Sequence, residues 1–125
     1  TTEIYTLSLH DALPISFSGP AEYYSTLFHE LTHATGHENR LNRHQTIKNH
    51  AFGSQDYSKE ELVAEFGSAF LCAEAGISPA VINNQAAYIQ GWLKALKNDS
   101  KLLINAAAQA QKAADWILNR QTVAA

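Results

Sequence analysis

One cysteine, Cys72, is all the thiol chemistry in this chain, so no intrachain disulfide can staple it. A lone thiol fits a reducing compartment, and a cytoplasmic location is expected. Charge is sparse, at 17% of residues, and the formal net charge is -3. That balance removes the electrostatic case for nucleic-acid binding by this segment. No apolar run reaches the length of a membrane span, which argues against a membrane partner. The N-terminus has no basic stretch leading into an apolar one, so no secretory signal is read there. At 125 residues the chain has room for one domain with a real core, not two. It begins with Thr1 rather than methionine, and a fragment is expected.

Residues 1–16 read TTEIYTLSLHDALPIS. The run YTLSLHDALPI resembles a translated sequencing-adapter read-through, and these residues are expected to be a non-native leader. His10 and Asp11 then carry no function. The competing reading is an edge strand, since Tyr5, Leu7 and Leu9 alternate with polar residues.

Beyond the leader the pattern is helical, and the fold class is mainly α. Residues 17–120 form the expected domain, followed by a tail at 121–125. A first helix is expected from Gly19 or Pro20 to Thr35, capped by Ser18 or Gly19 and stopped by a left-handed Gly36. Tyr24, Leu27, Phe28, Leu31 and Ala34 should form its core face. His37 to Asp56 reads as a long polar connection with at most a short helical turn. A second helix is expected from Ser58 to Ala75, with Leu62, Val63, Phe66, Ala69, Phe70 and Ala73 as its apolar stripe and Gly76 as its stop. A third should run from Ser78-Pro79 to about Asn98, open to a break at Asn83-Asn84. Its apolar set includes Val81, Ile82, Tyr88, Ile89, Trp92, Leu93 and Leu96. The last, Ser100 to Asn119, presents a small-residue face.

The chemistry lies in His29-Glu30-Leu31-Thr32-His33, an H-E-x-x-H inside the first helix. Residues four apart share a helix face, so both imidazoles can address one ion. Glu30 sits beside that ion, placed to act as general base on a water. The motif alone also occurs in helices that bind nothing, which leaves incidental histidines as the bland reading.

A catalytic zinc needs a third protein ligand and an open position. His37 lies one turn further on, but Gly36 should swing it away. A metzincin would need histidine at position 39, where this chain has Asn39. Glu61 and Glu65 remain, one turn apart on the second helix. Glu61 can bind the metal while Glu65 orients a ligand histidine. Alternatively, Ser58 to Glu61 forms a capping box and Glu65 is the ligand. Glu60 should be solvated. For oxyanion stabilisation Tyr57, His37 and His44 are candidates, each with a surface or packing role as the alternative. Arg40 and Arg43 can bind substrate carboxylates or form ordinary salt bridges on an exposed loop. Tyr23, Tyr24, Trp92 and Trp116 read as packing, and His50 as a surface histidine.

The runs YYSTLFHELTHATGHENRLNR, YSKEELVAEFGSAFLCAEAGI, NNQAAYIQGWLKALKND and AAAQAQKAADWIL occur in that order. Together they resemble the C-terminal zincin-like metallopeptidase domain of ArdC-type antirestriction proteins, a domain of plasmid and phage polyvalent proteins. In the related ImmA/IrrE-type metallopeptidases the third ligand is a glutamate six residues before a glycine. Glu61 stands six before Gly67. The resemblance implies zinc on His29, His33 and Glu61, with Glu30 as catalytic acid/base and Glu65 behind the ligands. The implied activity is hydrolysis of a peptide or protein substrate. The resemblance also implies that the family's strands before the first helix are missing or replaced here. The family's N-terminal single-stranded-DNA-binding domain is absent, so DNA is a partner only through that domain. A second reading is a DNA-protection or binding module with a structural or vestigial zinc.

Overall fold

The computed structural model describes residues 19–48, 51–77 and 79–120, with side chains from residue 83 onward in the last stretch. The leader with its edge-strand alternative, His10, Asp11, the Ser18 cap, His50 and the tail lie outside these residues, as do the side chains of Val81 and Ile82. The described residues form four α-helices and a 3-10 turn: α1 (Pro20–Ala34), the turn (His44–Thr46), α2 (Gln55–Ala75), α3 (Pro79–Ala95) and α4 (Ser100–Ile117). The mainly α class holds, and no strand occurs among the described residues.

The helix ends follow local chemistry. Pro20 opens α1, where its missing N–H costs nothing. The Ser54 hydroxyl caps α2 by accepting from the Tyr57 amide. This start is about one turn earlier than the sequence suggests. Ser58 is therefore interior and buried, and a capping box from Ser58 to Glu61 does not form. Gly76, left-handed at φ 70°, closes α2 as expected. The Gly76 amide donates to the Ala73 carbonyl and the Ile77 amide to the Cys72 carbonyl, which completes a Schellman motif. α3 runs unbroken through Asn83-Asn84, and its stop comes at left-handed Lys97 and Asn98. Asp99 caps α4 by accepting from Lys101.

Gly36 is not left-handed. A side chain there would collide with the His44 imidazole, which lies against the backbone. Glycine is required at this point for space rather than for φ. The end of α1 is satisfied from the loop beyond it. Arg40 donates to the Ala34 carbonyl at 3.1 Å and Arg43 to the Thr32 carbonyl at 2.7 Å. Both cations also suit the negative end of the helix.

α2 is the central element, packed by α1, α3 and α4. Its buried residues run almost all round, from Ser58 and Leu62 to Gly67 and Leu71. The apolar core gathers Leu62 and Val63 with Leu96, Ala106 and Ala110, flanked by Phe66, Phe70, Ile89, Trp92 and Leu102. Of the face that helical spacing predicts for α4 (Leu103, Ala107, Ala110, Ala114 and Ile117), Ala110 and Ala114 are buried and the other three half-buried, while Ala106 and Ala113 are buried as well. α1 departs from expectation. Its buried residues are Thr32 and His33, while Tyr24 and Leu31 are 44% and 37% exposed. The reason is the crossing with α2. Gly67 leaves room there for the Thr32 side chain, which a Cβ would strike. Ser68 donates to the Ser25 carbonyl at 2.7 Å. Small and hydrogen-bonding groups thus set the contact, and of the expected apolar stripe Leu27, Phe28 and Ala34 are half-buried while Tyr24 and Leu31 are exposed. Of the aromatics expected to pack, Tyr23 and Trp92 are the better covered, while Tyr24 and Trp116 are about half exposed.

Candidate metal centre

The α1–α2 crossing brings the H-E-x-x-H turn against the first half of α2. His29 and His33 present their Nε2 atoms 3.1 Å apart. Glu61 reaches both, with Oε1 3.0 Å from His33 Nε2 and Oε2 3.3 Å from His29 Nε2. Among the described residues these three form the one group of His, Cys, Asp or Glu side chains whose ligand atoms all lie within 4.8 Å of one another. The spacing can be tested against a metal. Ligands at about 2.0–2.1 Å from a tetrahedral ion stand roughly 3.3 Å from each other. The His29–His33 separation matches such an edge, and each imidazole has one Glu61 oxygen at a similar distance, Oε1 for His33 and Oε2 for His29. Two nitrogens and one carboxylate oxygen also suit a divalent ion of borderline softness.

The far sides of both imidazoles are held as well. His29 Nδ1 lies 3.3 Å from Glu65 Oε1, and His33 Nδ1 lies 3.2 Å from Glu60 Oε1. In each case the carboxylate accepts, which keeps a proton on Nδ1 and turns Nε2 toward the common centre. Three acids of α2 therefore serve two histidines: one between them and one behind each.

Glu60 corrects the expectation of a solvated side chain. It is 8% exposed and takes a fork from Arg43, with Nε to Oε2 at 3.1 Å and Nη2 to Oε1 at 2.9 Å. His44 Nε2 is 3.4 Å from the same carboxylate. Arg43 makes the salt bridge, but its side chain is only 8% exposed, so this is no exposed-loop pair. It further donates to Thr35 Oγ1 at 2.9 Å. The long connection after α1 thus folds back to build the support of His33. Sequence reasoning missed Glu60 and Arg43. The one signal available was two adjacent acids on a helix, which point about 100° apart and so can serve different neighbours.

Charge in this cluster follows from the contacts. Burial disfavours the His29 imidazolium, but hydrogen bonds to Glu61 and Glu65 outweigh it and raise the group to about 10. His33 is likewise pushed up, burial being overcome by Glu60 and Glu61. Burial opposes ionisation of Glu61, yet the two imidazoles hold it down at about 2. Glu60 is driven well below the carboxylate range against its own burial by His33, His44 and Arg43. Without a metal, protons on the imidazoles supply the positive charge that the carboxylates require.

The oxyanion candidates separate in space. His44 is engaged with Glu60, and His37 Nδ1 accepts from the Asn39 amide at 3.1 Å. Tyr57 lies one turn before Glu61 on α2. It packs against Phe52 and Trp92, with ring centroids 5.4 and 5.7 Å away. Burial and the negative charges of Glu61 and Glu30 push its hydroxyl pKa up. Glu30 lines a cleft together with His29 and Glu65.

A family model described as zincin-like metallopeptidase matches residues 12–109. The chain belongs to that family. Among solved structures it is similar to the antirestriction ArdC protein of plasmid R388 in a Mn(II)-bound crystal form. That similarity has 43% identity and a TM-score of 0.62, over 83% of this chain and 37% of that one. The metal-free form of ArdC matches at 33% identity and a TM-score of 0.60, over 97% and 52% of the two chains. The resemblance read from the sequence is borne out. Curated relatives include the uncharacterized protein y4eC of Sinorhizobium fredii, 38% identical over 106 residues. The DNA primase TraC of Escherichia coli is 42% identical over 113 residues. The zincin-like chain covers 85% and 90% of its own length in these two matches but spans only 34% of y4eC and 10% of TraC.

Proposed function

We propose that this zincin-like domain is a zinc-dependent peptidase, with His29, His33 and Glu61 as metal ligands and Glu30 as the acid/base. The observation that carries the reading is the convergence of His29 Nε2 and His33 Nε2 with the Glu61 carboxylate, one oxygen of which lies beside each imidazole. A divalent ion supplies Lewis acidity, making a water acidic near neutral pH and polarising a carbonyl. The Glu30 carboxylate takes the proton from the attacking water and delivers it to the leaving amine. Glu65 and Glu60 hold the Nδ1 protons of the ligand histidines, so neither imidazole can rotate out of register. Tyr57, whose hydroxyl pKa is pushed further up by burial and by the Glu61 and Glu30 charges, is the side chain best suited to donate to an oxyanion. The domain works within a larger mobile-element protein in the cytoplasm, a setting the lone thiol Cys72 fits.

The test is a peptide-library digest with and without chelator. Cleavage should require metal, and Glu30→Gln should retain metal while losing turnover. Turnover surviving in Glu30→Gln would remove the base assignment. The ArdC likeness favours a second reading, a DNA-protection role without proteolysis. Chelator-insensitive single-stranded-DNA binding with no cleavage would select it.

A further inference from the structure

Four aromatic rings run along one side of the metal centre. Phe52 stands two residues before the Ser54 cap of α2, and Tyr57 lies in the first turn of that helix. Tyr88 and Trp92 lie one turn apart on the same face of α3. Phe52, Tyr57 and Trp92 form a mutual cluster, with ring centroids 5.4–6.4 Å apart and planes crossing at 53–70°. Trp92 is half-buried against the core and gives the cluster its base. Phe52 is 84% exposed and Tyr88 62%. The strip meets the metal centre at two points. Tyr88 lines a cavity of about 420 Å³ together with His29, Glu30 and Glu65. Tyr57 precedes Glu61 by one turn on the same face of α2, and its hydroxyl feels the charges of Glu61 and Glu30.

We infer that this strip seats an aromatic side chain of the peptide substrate and so sets a preference for that side chain next to the scissile bond. The inference rests on the peptidase reading, but its test reads binding without hydrolysis. Two observations select the occupant. The rings meet one another edge-on or tilted, and Phe52 still has most of its surface in water, so one more ring can join the cluster in the same geometry. The size of the patch decides against a second copy of the chain. At roughly 200 Å² per ring, with two of the four half-buried, the strip exposes on the order of 400 Å². A stable protein interface takes about 800 Å² from each partner. A patch of this extent matches one large side chain and its neighbours in an extended peptide. Anything lying on it within reach of the metal passes Tyr57 or Tyr88, which places the substrate there rather than a remote partner.

The experiment is fluorescence titration of the full chain carrying Glu30→Gln, which leaves peptides uncut, and Trp116→Phe, which makes Trp92 the one tryptophan. The ligands are blocked hexapeptides of glycine and serine with phenylalanine or alanine at one central position. The phenylalanine peptide should bind about tenfold or more tightly, the scale of burying one such ring. It should also shift the Trp92 emission to the blue. Phe52→Ser and Tyr88→Ser, both at exposed positions, should each bring the affinity ratio toward one, whereas Ile104→Ser, at an exposed position on α4, should leave it unchanged. Equal affinity for the two peptides, or no binding of either, overturns the assignment. So does a preference that survives both strip variants or leaves Trp92 emission unmoved. Self-association of the free chain that Phe52→Ser abolishes, with no peptide preference, gives the strip to a second copy and overturns it too. An intact preference with no cleavage of any peptide by the chain with Glu30 restored leaves the strip standing and sinks the peptidase reading alone.

Discussion

Replacing Glu60 with glutamine is the sharpest test of how this site is held together. The substitution keeps the shape of the side chain and removes its charge. In the native protein one carboxylate accepts from both arms of the Arg43 fork, from His33 and from His44. A glutamine can offer only its single oxygen. Its NH2 must then face another donor, either Arg43 or an imidazole. Arg43 keeps two other partners, Thr35 Oγ1 and the Thr32 carbonyl, but its charge stays buried without a counter-charge. Breaking a buried pair from one side costs about 3–5 kcal/mol. Releasing the Nδ1 side of a ligand histidine should also weaken metal binding by roughly 10–100-fold. Urea unfolding of chelator-treated protein reads the first effect, and competition with a chromophoric chelator reads the second. Glu74→Gln is the matched control. Glu74 takes the same two-pronged contact from Arg120, but both side chains are about half exposed. Solvent screens that pair, so its loss should leave the unfolding midpoint and the metal affinity unchanged. If Glu60→Gln behaves like Glu74→Gln in both assays, the support assigned to His33 is wrong.

Three further predictions follow from the same geometry. Glu61→Ala should lower metal occupancy more than Glu65→Ala, because Glu61 faces both Nε2 atoms while Glu65 meets His29 from behind; elemental analysis giving the reverse order would exchange their roles. Gly67→Ala should destabilise the fold by about 1–3 kcal/mol, since the new methyl meets buried Thr32. Pairing it with Thr32→Ala should recover part of the loss, and no recovery in urea melts would mean the crossing is not limited there. Metal-free stability should depend on pH with a definite sign. His29 is raised from 6.5 to about 10, so its contribution is full below 6.5 and lost as pH rises toward 10. Glu61 is lowered from 4.5 to about 2, so its contribution is full above 4.5 and lost as pH falls toward 2. Thermal melts of chelated protein should therefore peak between 4.5 and 6.5. The gain on adding zinc should grow above that window, because ligation needs neutral imidazoles. A metal-free melting temperature that rises from pH 6.5 to 9 would contradict the assigned contacts.

Much of the site was legible one residue at a time. The four-residue spacing places His29 and His33 on one helical face whatever the rest of the chain does, and Glu30 follows from covalent order. Gly76 was readable as a stop because a left-handed residue after an apolar run is a local requirement. Gly36 was misjudged for the opposite reason. Its constraint is the His44 ring, which arrives from eight residues away.

What sequence determined alone, then, was the set of groups that repeat at helical spacing and local signals such as Pro20 at the start of α1 and Gly76 at the end of α2. Those properties depend on neighbours within one turn. Tertiary structure decided the rotation of α2 against α1. Glu60, Glu61 and Glu65 lie within two turns of one helix, and nothing local distinguishes a ligand from its support. The close approach at Gly67 and Thr32 sets the register. It turns Glu61 between the imidazoles, Glu65 behind His29 and Glu60 behind His33. Arg43 then makes burial of Glu60 tolerable, because a carboxylate leaves water only when a counter-charge and donors replace its solvation.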